Sequence, residues 1–124
     1  MPSIIVFPGQ GAQFIGMGKK LINMPKVQRM FELANEVFKT DLLSLCLNGP
    51  KTELDKTINC QPAVFVTSMA AVEYLKNTNP KAIEECYATA GFSIGEYSSL
   101  VLSGAMTYED GQKISKFHLF VLTI

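Results

Sequence analysis

Tyr87-Ala88-Thr89-Ala90-Gly91-Phe92-Ser93-Ile94-Gly95-Glu96-Tyr97 is the stretch on which the fold turns. Tyr87 to Ala90 is a short run that reads as a buried strand, and Glu96 to Leu102 reads as a helix. Between them, Gly91-x-Ser93-x-Gly95 has the form of a nucleophile elbow. In that arrangement a serine sits on a sharp turn whose small flanking residues tolerate the strained backbone. Its hydroxyl projects from the end of the sheet at the N-terminus of the next helix, where the helix dipole and free N–H groups favour negative charge. The N–H of Ile94 would point at the same place and supply half of an oxyanion hole. The five-residue pattern alone is weak. The competing reading is a plain strand-to-helix turn that uses glycines for geometry.

A second segment has the same character. Ser3 to Phe7 is a continuous apolar run of β-formers ending at Pro8-Gly9, as in a parallel strand covered on both faces. Gly9 to Gly18 then carries four glycines, so this loop needs unusual backbone angles or a close approach to something. Lying at the same kind of sheet edge, it could present a backbone amide as a second oxyanion donor. Tight packing or a phosphate-binding turn would also use glycines, although neither common nucleotide motif is in register.

The rest of the chain reads mostly as helix. Val27, Met30, Phe31, Ala34, Val37 and Phe38 recur at helical spacing from Pro25 to Thr40. Asp41 caps a short helix through Cys46 that stops at Asn48-Gly49-Pro50, and Thr52 to Thr57 reads as another. Gln61-Pro62 opens an apolar, largely buried helix from Ala63 to Lys76, with Met30 and Met69 on buried faces. Thr107 to Asp110 matches a capping box and opens the last helix. Strands alternating with helices define an α/β class with a parallel sheet. Two strands are few for so many helices, and Phe117 to Ile124 loses its polar face. The expected organisation is therefore an incomplete sheet domain over 1–116 and a divergent apolar tail over 117–124. Exposed edges and that tail predict poor solubility or marginal stability.

Composition closes off other classes. The 124 residues are 48% hydrophobic and 18% charged, enough apolar material for a core. Eleven basic and eleven acidic residues balance, which argues against nucleic-acid binding through a bulk positive field. No apolar run approaches a membrane span, and no secretory signal or transit segment is visible. Cys46, Cys60 and Cys86 are odd in number and far apart, so neither a disulfide scaffold nor a cysteine zinc site is expected. Cys46 and Cys86 lack a neighbouring histidine that would make a thiolate nucleophile.

Phe7-Pro8-Gly9-Gln10-Gly11-Ala12-Gln13 with Gly16-Met17-Gly18, then Gln61-Pro62-Ala63, then Gly91-Phe92-Ser93-Ile94-Gly95-Glu96-Tyr97 with Gly104-Ala105-Met106, resemble three landmarks in order. They are those of malonyl-CoA:acyl-carrier-protein transacylases and related acyltransferase domains. Phe92, where many bacterial members carry histidine, is nearer the mitochondrial type. The resemblance implies a three-layer, hydrolase-like large subdomain, here without its later strands and without the small ferredoxin-like subdomain.

It also implies a chemistry. Ser93 would take the malonyl group of malonyl-CoA as an ester and pass it to the phosphopantetheine thiol of acyl carrier protein. The N–H groups of Gln10 and Ile94 would form the oxyanion hole, and Gly9, Gly11, Gly91 and Gly95 would set the loop and elbow geometry. Glu96 would compensate the helix dipole and support the site, as would Gln61. No metal or redox cofactor is implied, and the compartment would be the mitochondrial matrix, with the cytoplasm as the alternative.

Two residues of the family have no match in this sequence. The family relies on a downstream histidine to activate the serine and on an arginine to hold the malonyl carboxylate. The only histidine, His118, falls at the arginine's position and inside the divergent tail. It reads as incidental, and little or no transacylase activity is expected of the chain as given. The other readings are a non-catalytic module that binds acyl-CoA or acyl carrier protein, and a different serine acyl hydrolase.

Overall fold

The computed structural model describes residues 2–123, with side chains over residues 2–116. His118 and the tail side chains lie outside the described residues. The order is β1 (Ser3–Phe7), α1 (Pro25–Phe38), α2 (Leu42–Asn48), α3 (Lys51–Leu54), α4 (Thr57–Thr78), α5 (Pro80–Glu84), β2 (Cys86–Gly91), α6 (Gly95–Leu102) and α7 (Tyr108–Thr123). β1 and β2 pair in parallel, from Ile4 opposite Ala88 to Phe7 opposite Gly91. Both sequence-derived strands are therefore neighbours, and their C-terminal ends lie side by side. This is the edge from which the two glycine-bearing loops leave.

The alternation along β1 shows how the sheet is covered. Phe7 is buried and Ile5 half-buried, whereas Ile4 and Val6 remain 54% and 56% exposed. On β2, Tyr87, Ala88 and Ala90 are exposed. The expectation of strands covered on both faces is corrected. Ile4, Val6, Ala88 and Ala90 share one face by register, and among the described residues that face is left largely exposed.

α4 is the centre of the helical layer. Every side chain from Cys60 to Val66 is buried, as are Met69, Ala70 and Val72. The helix starts at Thr57, not at Gln61-Pro62. Pro62 thus lies inside α4, where it removes one backbone bond. Complete burial of Pro62 and its neighbours offsets that loss. The short preceding helix correspondingly ends at Leu54, not Thr57. α5, at the sequence Pro80-Lys81-Ala82-Ile83-Glu84, has no apolar periodicity and escapes sequence reading; Pro80 at its first position favours it. Cys86 lies within β2, where the sequence reading placed it just before the strand.

α1 packs its Val27, Met30, Phe31 and Ala34 stripe against α4. α7 closes the layer against α1, α4 and α6. The Tyr108 and Phe65 rings stack with centroids 5.7 Å apart, and the Tyr108 hydroxyl donates to the Met30 carbonyl at 2.9 Å. The Gln112 amide in turn donates to that hydroxyl at 2.6 Å.

Candidate functional site

β2 delivers the chain into the elbow. The Phe92 N–H still follows the sheet, donating to the Phe7 carbonyl at 3.2 Å. Ser93 then turns to φ +54°, one of two non-glycine residues with positive φ among the described residues. Left-handed backbone is disfavoured for a residue with a Cβ and persists only where the surroundings impose it. The surroundings here are Gly91 and Gly95. A methyl group on Gly91 would collide with the Gly95 carbonyl, and one on Gly95 would lie 2.8 Å from the Pro8 carbonyl oxygen. Both ends of the turn therefore require glycine, and the turn between them carries Ser93 outward. Its side chain is solvent-exposed.

α6 begins at once. Gly95, Glu96 and Tyr97 N–H groups bond back to the carbonyls of Phe92, Ser93 and Ile94 at 2.9, 2.9 and 3.1 Å. Glu96 stands exposed in this first turn, placed to oppose the positive end of the helix. Ile94 is fully buried, which anchors the elbow to the core. Burial also raises the Tyr97 phenol above its ordinary pKa, assisted by the adjacent Glu96 charge.

The loop after β1 meets the elbow directly. A Cβ built on Gly9 would strike the Phe92 carbonyl and lie 3.3 Å from Ser93 Cβ. Gly9 is thus a close-approach glycine, and Gln10 follows it beside the serine. Gly11 takes φ +110° in open space. Among the described residues, neither the Gln10 N–H nor the Ile94 N–H finds an acceptor. Unpaired backbone donors are rare in proteins, and Ile94 is wholly buried.

Side chains at the α3–α4 junction and from α4 bond to this loop. Gln10 Nε2 donates to Thr57 Oγ1 at 3.2 Å, and Gln61 Nε2 lies 3.5 Å from Gln10 Oε1. The Gly11 N–H donates to Gln13 Oε1 at 2.8 Å, and Gln13 Nε2 donates to Asp55 Oδ1 at 3.1 Å. Hydrogen bonds from Lys51 and then Gln13 hold the Asp55 carboxyl below its ordinary pKa. Sequence reading singled out Gln10 and Gln61 but missed Gln13, Asp55 and Thr57. Gln13 stands in the quoted motif, whereas Asp55 and Thr57 carry no sequence signal.

Comparison with known proteins gives the family. The acyl transferase domain family matches residues 4–117. The mouse (Mus musculus) protein named malonyl-CoA-acyl carrier protein transacylase, mitochondrial, is 51% identical over 109 residues, covering 88% of this chain and 29% of the relative. The crystal structure of an acyl-carrier-protein S-malonyltransferase from Bartonella henselae superposes with TM-score 0.83 at 32% identity. It matches 94% of this chain and 37% of that one. A malonyl-transacylase solved in complex with its type II polyketide synthase acyl carrier protein gives TM-score 0.83 at 35% identity, with the same two coverages, 94% and 37%. The chain belongs to the acyl transferase domain family. It spans less than a third of the length of the mouse relative.

Proposed function

We propose that this chain forms the nucleophile-bearing part of a malonyl-CoA:acyl-carrier-protein transacylase. Ser93 Oγ attacks the thioester carbonyl of malonyl-CoA and loses its proton to a base. The carbonyl oxygen becomes an oxyanion held by the N–H groups of Gln10 and Ile94. Collapse expels coenzyme A as its thiolate, which takes up a proton, and leaves malonyl-Ser93. The phosphopantetheine thiol of acyl carrier protein then attacks that ester and regenerates the serine hydroxyl. No cofactor enters these steps. The compartment is the mitochondrion, following the name of the mouse relative, and within it the matrix.

The supporting observation is the pair of unengaged N–H groups, one on each loop, beside a serine held at positive φ. Among the described residues, no basic side chain hydrogen-bonds the Ser93 hydroxyl. General-base catalysis contributes about 10²–10⁴ in rate, so a bare Ser93 alcohol is slow. The test is intact mass after incubation with malonyl-CoA, with Ser93→Ala alongside and imidazole added as an external base. The expected result is little adduct in plain buffer and a Ser93-dependent malonyl adduct that grows with imidazole. No adduct from folded protein at any imidazole concentration would sink the reading and favour a non-catalytic acyl-CoA or carrier-protein binder.

A further inference from the structure

The loop from Gly9 to Gln13 has no regular secondary structure, yet it must hold one N–H at a fixed point beside Ser93. Backbone bonding within it is sparse: the Ala12 N–H reaches the Gly9 carbonyl at 3.3 Å. Among the described residues, its other hydrogen bonds run through its two glutamines. The Gln10 side chain turns away from the loop onto Thr57 and Gln61 of α4. The Gln13 side chain bridges the Gly11 N–H to Asp55, which Lys51 holds in turn at 2.8 and 3.0 Å. Each glutamine has both a donor and an acceptor at the tip of its side chain, so each can tie two groups at once.

We infer that Gln10 and Gln13 are paired clamps that fix the loop to the α3–α4 junction, and that Thr57, Gln61 and Asp55 are positioning residues for the Gln10 backbone N–H. The inference rests on the transacylase reading for what that N–H does, but the clamp itself is a property of this chain. Gln61 is the inner post. It is 3% exposed, and its Oε1 is buried with no partner among the described residues. A buried amide left half-satisfied is costly, so its retention beside the loop calls for a role. The inner clamp survives either amide orientation. With both amides turned over, the Thr57 hydroxyl donates to Gln10 Oε1, and Gln10 Nε2 donates to Gln61 Oε1.

The experiment is ¹⁵N relaxation on the intact chain, reading backbone order parameters at Gln10, Gly11 and Ala12. Thr57→Val and Gln61→Met remove hydrogen bonds at similar volume. In each, order parameters in the loop are expected to fall from the rigid range near ~0.85 toward ~0.6, with α1 and α4 unchanged. Gln10→Ala should do the same, and adding Thr57→Val to it should do nothing more, because both act through one side chain. Asp55→Ala should loosen Gly11, and Asp55→Asn, which keeps an acceptor, should restore it. Unchanged order parameters in Thr57→Val and Gln10→Ala would overturn the clamp, as would full additivity between them. Imidazole-driven acylation of Ser93 is read separately. A rigid-to-mobile change with no acylation in any variant would keep the clamp and reject the transacylase reading.

Discussion

Gly91, Ser93 and Gly95 divide one task among them: the glycines let the chain turn, and the serine takes the strained position. Because a methyl at Gly91 would meet the backbone of Gly95 and the Glu96 nitrogen, no side-chain movement can relieve it. Gly91→Ala is expected to destabilise the chain by about 1–3 kcal/mol, read as a lower denaturant midpoint, and to displace the elbow. A change below about 0.5 kcal/mol would contradict the packing described. A second residue-scale expectation concerns Cys46, fully buried on α2. Burial raises its thiol from an ordinary 9.0 to about 11, against a smaller opposing effect from Thr67. A raised folded pKa means the unfolded state loses its proton first, so the stabilisation is intact below pH 9.0 and lost as pH rises toward 11. Melting temperature should fall across that window, and Cys46→Ala should flatten the slope. At neutral pH Cys46 should resist a thiol reagent that modifies the partly exposed Cys86.

Among the elements, α7 shows most clearly what ties one helix to another. Its Tyr108 hydroxyl sits between the Met30 carbonyl of α1 and the Gln112 amide one turn along, and burial pushes its phenol pKa strongly upward. Tyr108→Phe keeps the ring stack on Phe65 but strands both polar partners. The expected loss is about 1–3 kcal/mol of unfolding free energy, measured by chemical denaturation. Sequence pattern revealed the elements unevenly. The capping box at Thr107 was legible, and the Asp110 N–H does bond to Thr107 Oγ1 at 3.1 Å. The Asp41 cap was equally legible, with its carboxylate accepting from the Ser44 N–H at 3.0 Å. The start of α4 was not, because Pro62 reads as a beginning while tertiary burial carries the helix through it. Within the site, Ser93 and the glycines were legible because a strained turn restricts residue type. Thr57 and Asp55 were not, since a surface threonine and aspartate fit almost any loop.

At the scale of the whole molecule, the open face of the sheet is the dominant fact. Ile4 and Val6 are 54% and 56% exposed, Ala88 and Ala90 opposite them are exposed too, and a parallel sheet is ordinarily buried on both faces. Contiguous apolar surface of this kind drives association. The purified chain is expected to bind a hydrophobic dye in its native state and to show concentration-dependent light scattering. Val6→Glu should reduce both with little change in melting temperature, because this side chain is not part of the packed core. Equal scattering from the variant would place the association elsewhere.

The left-handed turn at Ser93 also bears on how such a chain would respond to selection. A position of this kind holds an L-residue at about 1–3 kcal/mol above its relaxed state. Glycine there would relieve the strain and leave the rest of the fold untouched. A screen that rewarded heat resistance alone would therefore drift toward glycine at position 93, and its most robust survivors would be those that had discarded the hydroxyl.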